Sequence, residues 1–249
     1  MNSTRDLTAN TLATAKRIIT QLRHDHRTVA LMVLLPSVLL VLLRYVFNSE
    51  QMFNRTAPAL LGIFPFAVMF IVTSITTLRE RLTATLERLM TMPIGKVDLL
   101  LGYALAFGLV AVVQVAVAAT VALTWLGLSI RGSVWLLLVI AVLDALLGMA
   151  LGLFASAFAR TEFQAVQFMP AIVMPQVLLC GLFVPRDEMA AVLTWISDVL
   201  PLSYAVDALT QVTTSSEVDG TLVRNLLIIA GSALAALLLG AATLRRRTP

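Results

Sequence analysis

Seven stretches of this chain carry no formally charged residue: Thr28 to Leu43, Thr56 to Leu78, Leu99 to Ile130, Gly132 to Leu143, Ala145 to Ala159, Phe163 to Pro185 and Asn225 to Leu244. A helix that crosses a bilayer needs roughly 20 mainly apolar residues. The fourth and fifth runs are each short, and no turn signal separates them at Asp144, so they read as one segment. Six spans result, at about 28–47, 57–78, 98–126, 134–158, 164–184 and 223–244. The runs are continuous and rich in Leu, Ala and Val, whereas barrel strands alternate over about ten residues. The expected fold is therefore all-α, an integral membrane protein forming one transmembrane domain over residues 1–249. Composition agrees, because only 13% of residues are charged and 59% are hydrophobic, against roughly 25% charged in soluble domains.

The net charge is +4, but the basic residues sit in small clusters beside apolar runs, with no patch of interleaved aromatics. They read as topology signals, and nucleic acid is not an expected partner. One set of connecting segments holds Arg5, Lys16, Arg17, Arg23, Arg27, Arg79, Arg81, Arg88, Lys96, Arg160, Arg245, Arg246 and Arg247, thirteen in all. The other set holds Arg44, Arg55, Arg131, Arg186 and Arg224. Basic residues accumulate on the cytoplasmic side, so both termini are expected there, in a multi-pass protein of the cell (inner or plasma) membrane. About 28 mostly polar residues precede the first apolar run, which does not resemble a cleavable signal, and the first span is expected to be retained. Cys180 is the only cysteine, so neither an intrachain disulfide nor a Cys-based metal site is available.

Ahead of the first span, Leu12, Ala15, Ile18, Ile19 and Leu22 recur at helical spacing with Lys16, Arg17 and Arg23 on other faces. This predicts an interfacial helix over about 10–27, lying on the inner membrane surface. Between the last two spans, about 185–213, Pro185 and Pro201 divide an amphipathic segment into halves that carry Trp195 and Tyr204. Two short helices dipping back into the outer leaflet fit this pattern, and an ordinary extracellular hairpin is the alternative.

The stretch RERLTATLERLMTMPIGKVD, residues 79–98, is a charged interruption between two apolar runs. Leu82, Leu86, Leu89 and Met90 form one helical face, Arg81, Glu87 and Arg88 lie elsewhere, and Pro93 with Gly95 ends the helix. An apolar face with charged flanks suits docking into a groove on a soluble partner, and it equally suits a helix lying on the bilayer. Pattern alone leaves the two level.

Glu80-Arg81, Thr85-Leu86-Glu87-Arg88-Leu89 and Pro93 resemble the cytoplasmic signature of type-2 ABC exporter permeases, the group typified by daunorubicin-resistance permeases. GLFVPRDEM, residues 181–189, followed by PLSYAVDAL, residues 201–209, resembles the second signature of that family. The resemblance covers nearly the whole chain. It implies that about 80–93 is a coupling helix docking on a separate ATP-binding subunit, with Glu80, Arg81, Leu86, Glu87, Arg88, Leu89 and Pro93 carrying the contact. It further implies two permeases, as a homodimer or with a sister permease, and two ATPases, whose closure opens the permease dimer outward. ATP and Mg would lie on the partner and no cofactor on this chain: the only Gly-Lys pair, Gly95-Lys96, is followed by Val97, and Met90 stands where a P-loop needs glycine. Ala84, Ala190 and Thr210 depart from residues common at these places, which leaves subfamily and substrate open.

Asp144 is the one acid well inside a predicted span, where a charge costs roughly 2.5–3.5 kcal/mol on insertion scales. It is a candidate contact on a substrate pathway, for instance for cationic amphiphiles, or else a structural acid. Gln114 and Gln176 are weaker pathway candidates that read better as interhelical hydrogen-bond donors. Met149, Phe154, Phe168, Met169 and Met174 read mainly as packed or lipid-facing, and Pro170 and Pro175 should kink or loosen the fifth span. No enzyme constellation is visible: His24 and His26 are two residues apart, on different helix faces, and the acids inside the membrane do not cluster for metal.

The expected function is that of a non-catalytic permease subunit, exporting a hydrophobic or amphipathic substrate such as a drug, lipid or lipid-linked glycan. A membrane-embedded enzyme or assembly factor is the alternative. An ion channel is disfavoured, since no span carries a ring-forming series of polar residues.

Overall fold

Backbone polar groups inside a bilayer must be satisfied within the chain, and the long apolar runs meet that demand as helices. The computed structural model describes residues 3–83 and 96–243, and among these no strand occurs. Helix α1, Ser3–His24, leads through a single residue into α2, His26–Phe47. That residue, Asp25, caps α2, accepting hydrogen bonds from the Thr28 backbone N–H at 3.1 Å and the Thr28 hydroxyl at 2.6 Å. Asn48 then adopts a left-handed conformation at φ 45°, and Ser49 caps α3, Glu50–Leu82.

After the interval 84–95, α4 runs over Lys96–Thr120 and continues as a π-helical turn, Val121–Trp125. Helix α5 spans Val134–Ser156. Next come α6, Glu162–Phe168, a π-helical turn, Met169–Val173, and α7, Met174–Leu179. Helices α8, Ala191–Val199, and α9, Pro201–Thr214, meet at 90°. The last helix, α10, covers Gly220–Thr243, with Asp219 accepting from the Leu222 N–H at 2.9 Å.

Among the described residues five helices are long and apolar enough to cross a membrane: α2, α3, Asp98–Trp125, α5 and α10. The bent pair α8–α9 brings the number to six if counted as one span. The segment expected as the fifth span is a chain of three short pieces rather than one helix. Pro170 and Pro175 are the cause: each lacks an N–H donor, and its ring displaces the carbonyl four residues earlier, which a π-turn accommodates by widening the helix.

The long helices run alternately between two ends of the bundle, one marked by α1, the other by the α8–α9 hairpin. At its centre α3 and α5 touch backbone to backbone. A β-carbon built on Gly148 would lie 2.2 Å from the Phe66 carbonyl oxygen, and one on Gly152 would lie 2.3 Å from that of Phe70. Lipid tails are as apolar as leucine, so helices in a membrane gain from packing and interhelical bonds rather than from leaving water. Glycines four apart serve both, by letting the Thr73 hydroxyl reach the Met149 carbonyl oxygen at 3.2 Å. At the α1 end, Gly102 of α4 does the same for α1, since a β-carbon there would sit 2.5 Å from Thr14 Cβ.

Gly148→Ile is expected to drive side-chain atoms into the α3 backbone and destabilise the bundle by more than the roughly 1–3 kcal/mol of ordinary overpacking. Gly231→Ala, where no atom lies within 4 Å, is the control and should leave the protein intact. Thermal unfolding of the detergent-purified protein measures the difference.

Candidate functional site

Three consecutive charged residues end α3, and their positions follow from helix geometry. Successive residues on a helix turn by about 100°, so Arg79, Glu80 and Arg81 point in three directions. Glu80, only 7% exposed, receives two hydrogen bonds from Arg17 of α1, Nη1 to Oε1 at 3.1 Å and Nη2 to Oε2 at 3.2 Å. Arg79 donates to both carboxylate oxygens of Glu162, at 2.7 and 2.9 Å, and so ties α3 to the first turn of α6. Arg81 donates to the carbonyl oxygen of Ser156 at the end of α5.

The hydrogen bonds from Arg79 hold the Glu162 carboxyl below its ordinary value of 4.5. A depressed carboxyl contributes stability above its unfolded value, so this link persists at neutral pH and is lost only as pH falls through the lowered value. Of the residues expected to meet an ATPase, Glu80 and Arg81 are thus held within the chain. Leu86, Glu87, Arg88, Leu89 and Pro93 lie outside the described residues.

At the opposite end the second motif builds a clamp around Arg186. Its guanidinium donates to Asp207 of α9 at 2.6 Å and to Asp198 of α8, and lies 5.2 Å from the centre of the Tyr204 ring. Tyr204 in turn donates to the Asp198 carbonyl oxygen at 2.6 Å, and the Ser197 hydroxyl donates to the Leu179 carbonyl oxygen at 2.7 Å. Together these bonds hold the right-angled turn at Leu200–Pro201. Sequence reasoning found both halves of the motif but not the residue that joins them. The available signal was charge: Arg186 is the one cation in a segment that holds Asp187, Glu188, Asp198, Asp207, Glu217 and Asp219. Beside the clamp opens a polar cleft of about 600 Å³, between the first turns of α3 at Arg55 and Thr56 and the α9 face of Asp207 and Gln211.

The intramembrane polar residues stand apart from that cleft. Asp144 of α5 is fully buried beside Gly62 of α3, at a point where Leu209 of α9 also packs, and neither carboxylate oxygen has a hydrogen-bond partner. Gln114 of α4 is also fully buried, with both amide atoms unpartnered. Gln176 of α7 donates to the Ile172 carbonyl oxygen of its own helical run at 3.2 Å, while its Oε1 has no partner. The expectation of interhelical bonds from these glutamines is therefore corrected. Asn225 of α10, buried with an unpartnered Oδ1, is a fourth such residue that the sequence did not single out. The fold places the four on four different helices, and no hydrogen bond joins them among the described residues.

Comparison with known proteins adds a family to this geometry. A family model described as "ABC-2 type transporter" matches residues 9–213. The chain is 28% identical over 192 residues to "Probable multidrug ABC transporter permease YbhS" of Escherichia coli (strain K12), covering 76% of this chain and 51% of that protein. It is 26% identical over 161 residues to "ABC transporter G family member 20" of Dictyostelium discoideum, covering 65% of this chain and 22% of that protein. The chain thus spans about a fifth to a half of the length of these curated relatives. The family match extends from α1 through the clamp to the end of α9, and on it this multi-pass membrane chain belongs to the ABC-2 type transporter family.

Proposed function

We propose that this chain is the permease subunit of an ATP-driven exporter, moving a hydrophobic or amphipathic substrate out of the cytoplasm with energy from a separate ATP-binding subunit. Family membership supports this reading, as do relatives whose names describe probable multidrug permeases. In this reading the chain works beside a second copy or a sister permease. It lies in the cell membrane with both termini and residues 80–93 in the cytoplasm, as the distribution of Lys and Arg favours. ATP and its magnesium ion belong to the partner.

The observation that carries the reading is the three-way anchorage of α3 immediately ahead of the Thr85-Leu86-Glu87-Arg88-Leu89 motif. A soluble subunit that grips residues 84–93 acts on a helix end tied to α1 by Glu80, to α5 by Arg81 and to α6 by Arg79. A loose turn would absorb such a displacement, whereas this end shares it among three elements. Asp144, Gln114 and Gln176 are the candidate substrate contacts, with Asp144 meeting a cationic amphiphile once α9 withdraws from it.

Purified with its ATPase, the wild-type chain should form a stable complex in which substrate stimulates ATP hydrolysis. Glu87→Ala with Arg88→Ala, or Leu86→Pro, should abolish that stimulation while leaving the permease folded. Normal transport by both variants, or absence of any ATPase from the complex, removes the proposal.

Reversing one partner of the Glu80–Arg17 pair should cost about 1–3 kcal/mol, between the exposed and buried limits for ion pairs, and lower ATP-dependent transport. The double reversal, Arg17→Glu with Glu80→Arg, should restore much of both. A double variant no better than its singles would show that α1 is not held through this pair. Separately, unchanged transport of every substrate by Asp144→Asn would assign that residue to structure.

A further inference from the structure

Where α1 turns into α2, an apolar groove of about 440 Å³ opens between α1, α2 and α4. Leu22, Val29, Val33, Leu109 and Val113 line it, and the exposed Arg23 and His26 mark its mouth. Val33 lies seven residues beyond His26 along α2, which at 1.5 Å per residue makes the groove about 10 Å deep on that side. Its α4 wall continues into an outward face of exposed Leu105, Leu109 and Val112, the kind of surface that contacts hydrocarbon.

Cations outnumber acids along the two helices that frame the mouth. Arg23 is exposed at the groove itself, and Lys16 and Arg27 are exposed further along α1 and α2. The nearby acid, Asp25, already accepts two hydrogen bonds from Thr28 and is flanked by the positive charges of Arg79 and Arg27. An elongated apolar slot under a cationic mouth is complementary to one molecule type present at that depth, a lipid with an anionic headgroup. A soluble phosphate would leave the apolar walls bare, and a zwitterionic lipid would bring beside its phosphate an ammonium that the cations repel.

We infer that this groove holds one acyl chain of an anionic glycerophospholipid, its headgroup phosphate accepting hydrogen bonds from Arg23 and His26. The bound chain fills the space between α1 and the bundle, and so fixes the helix that Arg17 ties to Glu80. The site stands on this geometry whether or not the chain exports a substrate.

Native mass spectrometry of the full-length protein, incubated with phosphatidylglycerol or phosphatidylcholine of equal chain length, tests the assignment. One phosphatidylglycerol per chain should be retained several-fold more than phosphatidylcholine, and soluble glycerol phosphate should not displace it. Arg23→Gln with His26→Gln should erase the preference. Val113→Trp should expel lipid by filling the slot, and Leu101→Trp, on the exposed face of α4 outside the groove, should leave retention unchanged and report on folding. Equal retention of the two lipids would show ordinary annular lipid only. Retention undiminished in a folded Val113→Trp variant, or displacement by glycerol phosphate, would equally overturn the inference.

Discussion

At the centre of the bundle two backbones pack directly against each other. Where Gly148 and Gly152 of α5 meet the carbonyls of Phe66 and Phe70, α3 and α5 approach to a distance that any side chain would forbid. In water such proximity would be one stabilising feature among many. In a bilayer, where apolar side chains gain little by leaving lipid, close packing and hydrogen bonds such as Thr73 to Met149 are what hold helices together. The pair forms a spine from which other elements are hung. Helix α9 rests on both members near Gly62 and Asp144, and α10 lies along α5, where a β-carbon built on Gly240 would be 3.8 Å from the Phe154 backbone.

The charged attachments concentrate at the two ends of the bundle. At the α1 end, Arg79, Glu80 and Arg81 reach three elements because three successive helical residues cannot share a face. At the hairpin end one guanidinium, Arg186, gathers residues of both α8 and α9. The first arrangement spreads any force on the end of α3 over α1, α5 and α6. The second keeps a bent pair bent. Packing joins the middle and charge joins the ends, which gives the bundle a stiff axis and separately tethered rims.

Much of this was legible in the sequence, and what escaped has physical reasons. Uncharged runs announced the helices because backbone hydrogen bonding in hydrocarbon leaves no alternative. The extent of α3 did not follow from charge: the run stops at Leu78, yet the helix continues through Arg79, Glu80, Arg81 and Leu82, since paired charges at a bundle end do not break a helix. Pro170 and Pro175 signalled a weakened fifth span, but not that two α segments would flank a π-turn. The Gly148–Gly152 spacing was present to be read, and it needed a partner before it meant anything: Gly231 sits in an equally apolar run and touches nothing. Arg186 illustrates the same limit, because its acids lie 12 and 21 residues away, beyond the reach of local periodicity.

Asp144 lies where these two modes of attachment meet. A carboxyl without a hydrogen-bond partner is expensive to enclose, and two of its neighbours differ in kind. One is Gly62 of α3, part of the close-packed spine. The other, packed at the same point, is Leu209 of α9, two residues from Asp207, the very group by which Arg186 fastens the hairpin. The spine cannot yield without breaking backbone contacts, whereas α9 is held at that edge through a guanidinium whose other partner, Asp198, stays on α8. A rearrangement that gave Asp144 a polar neighbour through α9 would have to unseat Leu209 and strain the backbone bonds from Arg131 and Gly132 to Thr213 and Val212, on the side where the polar cleft of Asp207 and Gln211 opens.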